Sequence, residues 1–413
     1  MNAEVRPGYK QTEVGVIPQD WEVKRLRDIS PSQTVGLVIN PSSYFDEAGT
    51  IPMLVGSHVS ENSISWQTAN KITEKSNNQV SASRLYANDL VMVRVGEPGV
   101  TAVVPPELDG CNCASMMIIR QGRAFDSTWL CYVMNSDIGR KQVENVQYGT
   151  AQKQFNISDA VNFVYPTPPF AEQKAIASAL SGVESVITSL DQLIAKKRDI
   201  QQAAMQQLLT GQRRLPGFSG EWEVKRLGDV ASLSRINVIP SATPDKTFTH
   251  FSLPAFDEGK RPVKESGATI GSNKFSVPID AILVSKLNPR IPRVWLPKNI
   301  PTNAVASTEF LVLTPRDGVV REFLYVTCKS SSFCAQMELS ATGTTGSHQR
   351  ISPTSTLGLL VNVPSDNSEQ TAIATILSDM DTELAALEAR RDKASQLKQG
   401  MMQELLTGRV RLA

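Results

Sequence analysis

Two stretches of this chain are written twice, about 200 residues apart. Trp21-Glu22-Val23-Lys24-Arg25-Leu26 returns as Trp222-Glu223-Val224-Lys225-Arg226-Leu227. Glu172–Leu215 returns as Glu369–Leu412, with about 18 of 44 positions identical. So long a period excludes a solenoid of short repeats and leaves two copies of one module, each a globular part followed by a helix. Two similar modules on one chain imply two similar targets.

The helical part of each copy is explicit. Ile176, Leu180, Val183, Ile187, Leu190 and Ile194 advance by alternating fours and threes, the a/d seam of a coiled coil. Ile373, Leu377, Met380, Leu384 and Leu387 repeat it. Lys196-Lys197-Arg198 and Arg390-Arg391 then interrupt the apolar run. The seam is expected to resume in a shifted register at Ile200, Ala204, Leu208 and at Leu397, Met401, Leu405, a skip that changes supercoiling without ending the helix. Pro168-Pro169 marks the first start, Ser368 is the expected N-cap of the second, and Gly211 and Gly408 suit the left-handed residue after the last turn. Helices of about 39 residues would be near 58 Å long.

Short apolar runs separated by Gly, Pro, Asn and Asp fill the rest: Leu90–Val93, Met116–Ile119, Ala281–Val284 and Phe310–Leu313. They predict buried strands of a mixed sheet, with short helices near Asp126–Ser136 and Arg321–Ser330. The outline is shared while the loops diverge, as expected where loops choose the target on a common frame. Thr210–Trp222 is echoed by the C-terminal Thr407–Leu412 followed by Pro7-Gly8-Tyr9 of the N-terminus. This predicts a cyclic, pseudo-twofold α+β arrangement of two globular mixed α/β domains on antiparallel helices. The expected divisions are 1–168, 169–213, 214–366 and 367–413.

Composition narrows the function. Hydrophobic residues make up 41% and charged residues 20%, as in ordinary globular chains. No apolar run approaches the ~18 residues of a membrane span and Met1–Lys10 lacks a secretory apolar core, so a cytoplasmic location is expected. Five cysteines, without a C-x₂-C pair, read as reduced thiols. Net charge is only +1, which weighs against a tight stand-alone DNA binder. By count, 31–165 carries roughly three negative charges and 232–366 roughly four positive.

No phosphate-cradling or dinucleotide-binding glycine motif is present, and His58, His250 and His348 lie in unrelated surroundings. Thr167-Pro168-Pro169-Phe170 looks like an amino-methyltransferase motif, but it has Thr where that motif has Asn or Asp, and a helix must begin there. The positive candidates are loops. Gly149-Thr150-Ala151-Gln152-Lys153 aligns with Gly346-Ser347-His348-Gln349-Arg350 at the helix-repeat offset. Lys286, Asn288, Arg290 and Arg293 crowd a proline-punctuated loop, and Arg94, ahead of Gly96 and Gly99, holds the comparable place in the first module. Arginine or lysine on guanine, and Asn or Gln on adenine, are the usual base-reading pairs. Solvated surface charge is the alternative for each.

With these residues assembled, the chain resembles the specificity subunit of a type I restriction–modification system over essentially its whole length. Ile17-Pro18 before Trp21-Glu22-Val23, Pro-Pro-x-x-Glu172-Gln173 and the doubled Leu-Leu-Thr-Gly carry the resemblance. So do Phe251–Asp257 and Ser285–Pro289, which look like one target-recognition subtype. Asn367-Ser368 replaces the diproline in the second copy. The resemblance implies two target-recognition domains, each reading half of a split double-stranded DNA site, with the coiled coil as ruler. It implies two methyltransferase subunits and separate restriction/translocase subunits as partners. S-adenosylmethionine, ATP and magnesium belong to those partners, and this chain has no active site and no cofactor or metal of its own. A two-module protein-interaction scaffold is the alternative.

Overall fold

The computed structural model describes residues 6–150, 152–343 and 349–412. They divide into two compact units, Met1–Leu190 with Arg390–Ala413, and Asp191–Ala389. Each long helix therefore contributes one half to each unit.

In the first unit, Leu90–Val93 and Met116–Ile119 are the central strands of a four-stranded antiparallel sheet flanked by Thr101–Val103 and Gln33–Val35. Both faces are covered, which is why these strands read as unbroken apolar runs. Leu90, Met92, Met117 and Ile119 pack with Trp129, Leu130 and Val133 of the helix Ser127–Asn135. Val91, Val93, Met116 and Ile118 pack with Leu54 and Cys113 of a smaller sheet. There Asn112–Cys113 runs parallel to Ile51–Leu54.

The second unit repeats the plan. Phe310–Pro315 and Ile282–Ser285 are central, flanked by Ala231–Ser234 and Val294–Trp295. Helices Arg321–Lys329 and Ser331–Leu339 cover one face. A five-stranded sheet containing the parallel pair Thr247–Phe251 and Ala304–Ser307 accompanies the other. The second helix of each pair, Asp137–Val146 and Ser331–Leu339, was not expected from the sequence.

The long helices span Phe170–Leu208 and Asn367–Leu405, 39 residues each. Within each unit their halves run antiparallel: Lys398 pairs with Glu184 and Arg411 with Glu172 in one. In the other, Lys197 meets Glu383, Arg198 meets Glu388 and Gln201 reaches Asp381. Ile176, Leu180 and Leu190 are buried and Val183 and Ile187 half-buried; Ile373, Leu377 and Leu384 are buried and Met380 and Leu387 half-buried.

The expected skip does not occur. Ile200 and Leu397 are 44% and 57% exposed. The fours and threes continue unbroken through Ile194, Lys197, Gln201, Ala204 and Leu208, all buried or half-buried. The same holds for Arg391, Ala394, Lys398, Met401 and Leu405. Polar side chains hold seam positions by spending their polar ends on acids of the facing helix, so apolarity alone misplaced the register. The second helix is likewise capped by Asp366, whose Oδ1 accepts from Ser368 N at 2.7 Å, rather than by Ser368.

The repeated words have one structural use in both units. Glycine ends each long helix at positive φ, +71° at Gly211 and +68° at Gly408. The Trp222 ring lies against Gly211, and Trp21 with Pro18 against Gly408, so closely that a Cβ at Gly408 would meet Pro18 at 2.4 Å. The helix-starting glutamate is buried beneath: Arg411 grips Glu172 and Arg214 grips Glu369. The neighbouring glutamine caps the short helix pair. Asp126 N donates to Gln173 Oε1 at 2.9 Å and Val320 N to Gln370 Oε1 at 2.8 Å. The Pro168-Pro169 dipeptide does precede a helix start, at Phe170.

Candidate nucleic-acid interface

Both central sheets deliver their candidate loops to one end. Leu90–Val93 runs on into Arg94 and Val95, and Val95 pairs with Gln154. Gly96 N donates to Lys153 O at 3.1 Å, while Tyr148 and Gln154 exchange two backbone bonds of 2.9 Å. The turn between them depends on Gly149, at φ +99°, where a Cβ would sit 2.3 Å from Gln152 O.

The second unit builds the same crossing with different side chains. Ile282–Ser285 runs on into Lys286 and Leu287, and Leu287 pairs with Arg350. Asn288 N donates to Gln349 O at 2.8 Å, and Thr342 and Arg350 exchange two bonds of 2.9 Å. Gln154 is thus the counterpart of Arg350, and Lys153 of Gln349, one residue off the alignment taken from the helices. The shift arises between crossing and helix: 18 positions separate Gln154 from Glu172 and 19 separate Arg350 from Glu369. Ala151 and Gly346-Ser347-His348 lie outside the described residues.

Two of the candidate cations are committed to acids. Arg293 makes a two-pronged contact with Asp257, 2.8 and 3.0 Å, and Arg350 lies 3.1 Å from Glu309. Those acids brace the loop; Asp257 and Glu309 lie 36 and 41 residues from their arginines, so no local pattern marks them. Gln152, Lys153 and Arg290 are exposed, whereas Arg94, Lys286, Asn288 and Gln349 are half-buried. Arg94 Nε and Asn288 Oδ1 are buried and have no hydrogen-bond partner. Asn288 adopts φ +49°, a left-handed conformation that Asn tolerates better than most residues. The structure therefore gathers Arg94 with Gln152 and Lys153, and Lys286, Asn288, Arg290 and Arg293 with Gln349 and Arg350.

Among the described residues no group of His, Cys, Asp and Glu is placed to hold a metal ion, and no helix is long and apolar enough to cross a membrane. His58 Nδ1 accepts from Val55 N at 3.0 Å and His250 Nδ1 lies 2.5 Å from Glu265, so both have structural partners. All five cysteines are free thiols. Burial pushes Cys111 and Cys131 up to about 12, and Cys113 and Cys328 higher still.

Residues 219–396 match the family model of the type I restriction modification DNA specificity domain. The type I restriction enzyme MjaVIII specificity subunit of Methanocaldococcus jannaschii is 25% identical over 222 residues, 51% of this chain and 50% of that protein. The putative MjaX specificity subunit of the same organism is 24% identical over 242 residues, 54% of this chain and 55% of that one. The chain thus spans about half the length of these curated relatives in each match. The fold extends further: the S subunit of a type I restriction–modification system from M. genitalium superposes with a TM-score of 0.62 at 14% identity, covering 98% of both chains. A chain from a study of assembly and conformational transition of the type I system gives 0.53 at 19% identity, covering 95% and 99%. Residues 219–396 thus match the type I restriction modification DNA specificity domain, and the fold of the whole chain is that of a solved S subunit of a type I restriction–modification system.

Proposed function

We propose that the chain recognises a bipartite DNA site, each unit reading one half through its crossed loops. One observation carries this reading. The same crossing recurs at the same sheet end in both units, while the side chains it presents differ, Arg94, Gln152 and Lys153 against Lys286, Asn288, Arg290 and Gln349. A shared frame with exchanged polar and cationic side chains is what two half-sites of different sequence require. The long helices serve as ruler, since a continuous helix fixes a spacing that a flexible linker would leave open. The subunit itself performs no chemistry. Two methyltransferase subunits, bringing S-adenosylmethionine, methylate adenine at the chosen site, and restriction/translocase subunits bring ATP and magnesium. Near-zero net charge fits this division, because partners then supply much of the phosphate grip.

The test is methylation mapping of host DNA with and without this gene beside its cognate methyltransferase. A split motif of fixed spacer that needs both genes is the expected result. A continuous motif, or no change, would leave a protein-interaction scaffold as the better reading.

A further inference from the structure

Each unit also exposes aliphatic side chains beside its crossed loops. In the first, Gln33–Val35 and Leu90–Val93 flank Met116–Ile119 and run in the same direction, so both exit at one end. Gly36 N donates to Met116 O at 2.8 Å, and Met116 lies opposite Val93. Immediately beyond, Val38 and Ile39 are 69% and 54% exposed, two strands from Arg94. In the second unit Ala231–Ser234 and Ile282–Ser285 flank Phe310–Pro315 in the same way. Beyond the first of these, Ile236 and Ile239 are 63% and 50% exposed, two strands from Lys286.

A single exposed isoleucine needs no explanation. Here the exposure recurs at matching places in two loops of different sequence, Leu37-Val38-Ile39-Asn40-Pro41 and Ile236-Asn237-Val238-Ile239-Pro240. A one-turn helix follows each, Pro41–Tyr44 and Pro240–Ala242. The chains Val38, Ile39, Ile236 and Ile239 pack into neither core, while Val238, between the last two, turns inward against the Phe248 cluster. Two units thus spend aliphatic surface at the end that carries their cations and amides.

We propose that Val38 with Ile39, and Ile236 with Ile239, contact thymine 5-methyl groups in the major groove, adding an apolar reading of A·T pairs to the polar one. The inference rests on the DNA-recognition reading above and names further specificity-determining residues within it. The thymine methyl is the one apolar mark on a major-groove edge, and aliphatic side chains are its usual partner. Continuity with the cationic loops selects DNA as occupant over an unrelated apolar partner.

The experiment uses the full chain assembled with its methyltransferase and duplexes carrying the mapped site. Deoxyuridine replaces thymidine one position at a time, which removes the methyl and leaves base pairing intact. Burial of one methyl corresponds to about a fourfold change in affinity. We expect that loss at a thymine of the half-site read by the first unit. It disappears in a Val38→Ser, Ile39→Ser variant and persists in an Ile236→Ser, Ile239→Ser variant. The other half-site behaves conversely and is the internal control; because all four side chains are exposed, unchanged unfolding midpoints show that the variants fold. Specific binding that ignores every methyl, half-sites without A·T pairs, or variants as methyl-sensitive as the parent would overturn the inference and leave DNA recognition standing. Absence of any sequence-specific binding by the parent complex would remove both.

Discussion

The guanidinium of Arg411 meets the carboxylate of Glu172 in a two-pronged contact, Nε–Oε1 2.7 Å and Nη2–Oε2 2.8 Å, between residues 239 apart in sequence. Trp21 Nε1 donates to the same carboxylate at 3.0 Å, and Arg411 also holds Asp20 at 2.8 and 2.9 Å. The last residues of the second long helix module thereby close on the first residues of the first. Arg214 does this for Glu369 at 2.6 and 2.7 Å, although Trp222 Nε1 there has no partner.

Removing either arginine strands a buried carboxylate. Glu172 and Glu369 side chains are 7% and 1% exposed, while Arg411 is 38% exposed and Arg214 29%. Stranding a fully buried partner costs ~3–5 kcal/mol, and part-exposed arginines lower this. Arg411→Met should destabilise the first unit by about 2 kcal/mol, and Arg214→Met the second by at least as much. Hydrogen exchange resolved by segment checks this: loss of protection should concentrate in the unit that owns the glutamate.

The seam makes a sharper discrimination. Ile194 is 4% exposed whereas Ile200 is 44% and Leu397 57%. Ile194→Ala should cost about 2–4 kcal/mol through an unfilled cavity, and Ile200→Ser and Leu397→Ser within about 0.5 kcal/mol of nothing. Thermal unfolding of the three variants decides between the unbroken heptad and a shifted register, for which Ile200→Ser and Leu397→Ser would cost at least as much as Ile194→Ala.

The contrast shows what sequence could and could not convey. Helix lengths, the glycine stops and strands such as Leu90–Val93 were legible because periodicity and turn chemistry are local. Lys197, Gln201 and Lys398 hid the seam because their polar ends are satisfied across the helix pair by Glu383, Asp381 and Glu184, none of them a sequence neighbour. The loops illustrate the same limit. Residue type nominates Arg94 and Lys153 separately, whereas the crossing that brings their segments together and the commitment of Arg293 to Asp257, 36 residues away, depend on the fold.

His58 should make the first unit acid-sensitive. Burial holds its imidazole below the ordinary 6.5, and the neutral Nδ1 accepts from Val55 N. The neutral form is therefore favoured in the fold. Its contribution is complete above the unfolded value and lost as pH falls through the lower folded one. A ring titration followed by NMR should have its midpoint below 6.5, and the acid slope of the unfolding midpoint should flatten in His58→Asn. A midpoint above that value would contradict the burial argument.

Thiol chemistry should separate one cysteine from four. Cys111, Cys113, Cys131 and Cys328 are buried and Cys334 half-buried, and burial raises all five above the ordinary range. Only the thiolate reacts, and access is required as well. Titration of the native protein near neutral pH should label Cys334 first and slowly, and all five should react at once in denaturant. Rapid labelling of any other cysteine would show that its core opens.

An unbroken heptad alters how the proposed ruler should be tested. Seven residues inserted at matching points of both long helices keep every seam position in phase and add about 10.5 Å, about three base pairs of spacer. Four residues add only about 6 Å, about two base pairs, and introduce a stutter that locally unwinds the pair. Both insertions should lengthen the preferred spacer. The seven-residue variant should retain parental stability, whereas the four-residue variant should lose some, because Lys398–Glu184 and Gln201–Asp381 then face different partners. Footprinting against duplexes of graded spacer measures the preference. An unchanged spacer in the stable seven-residue variant would mean that something other than the helices sets the distance between half-sites.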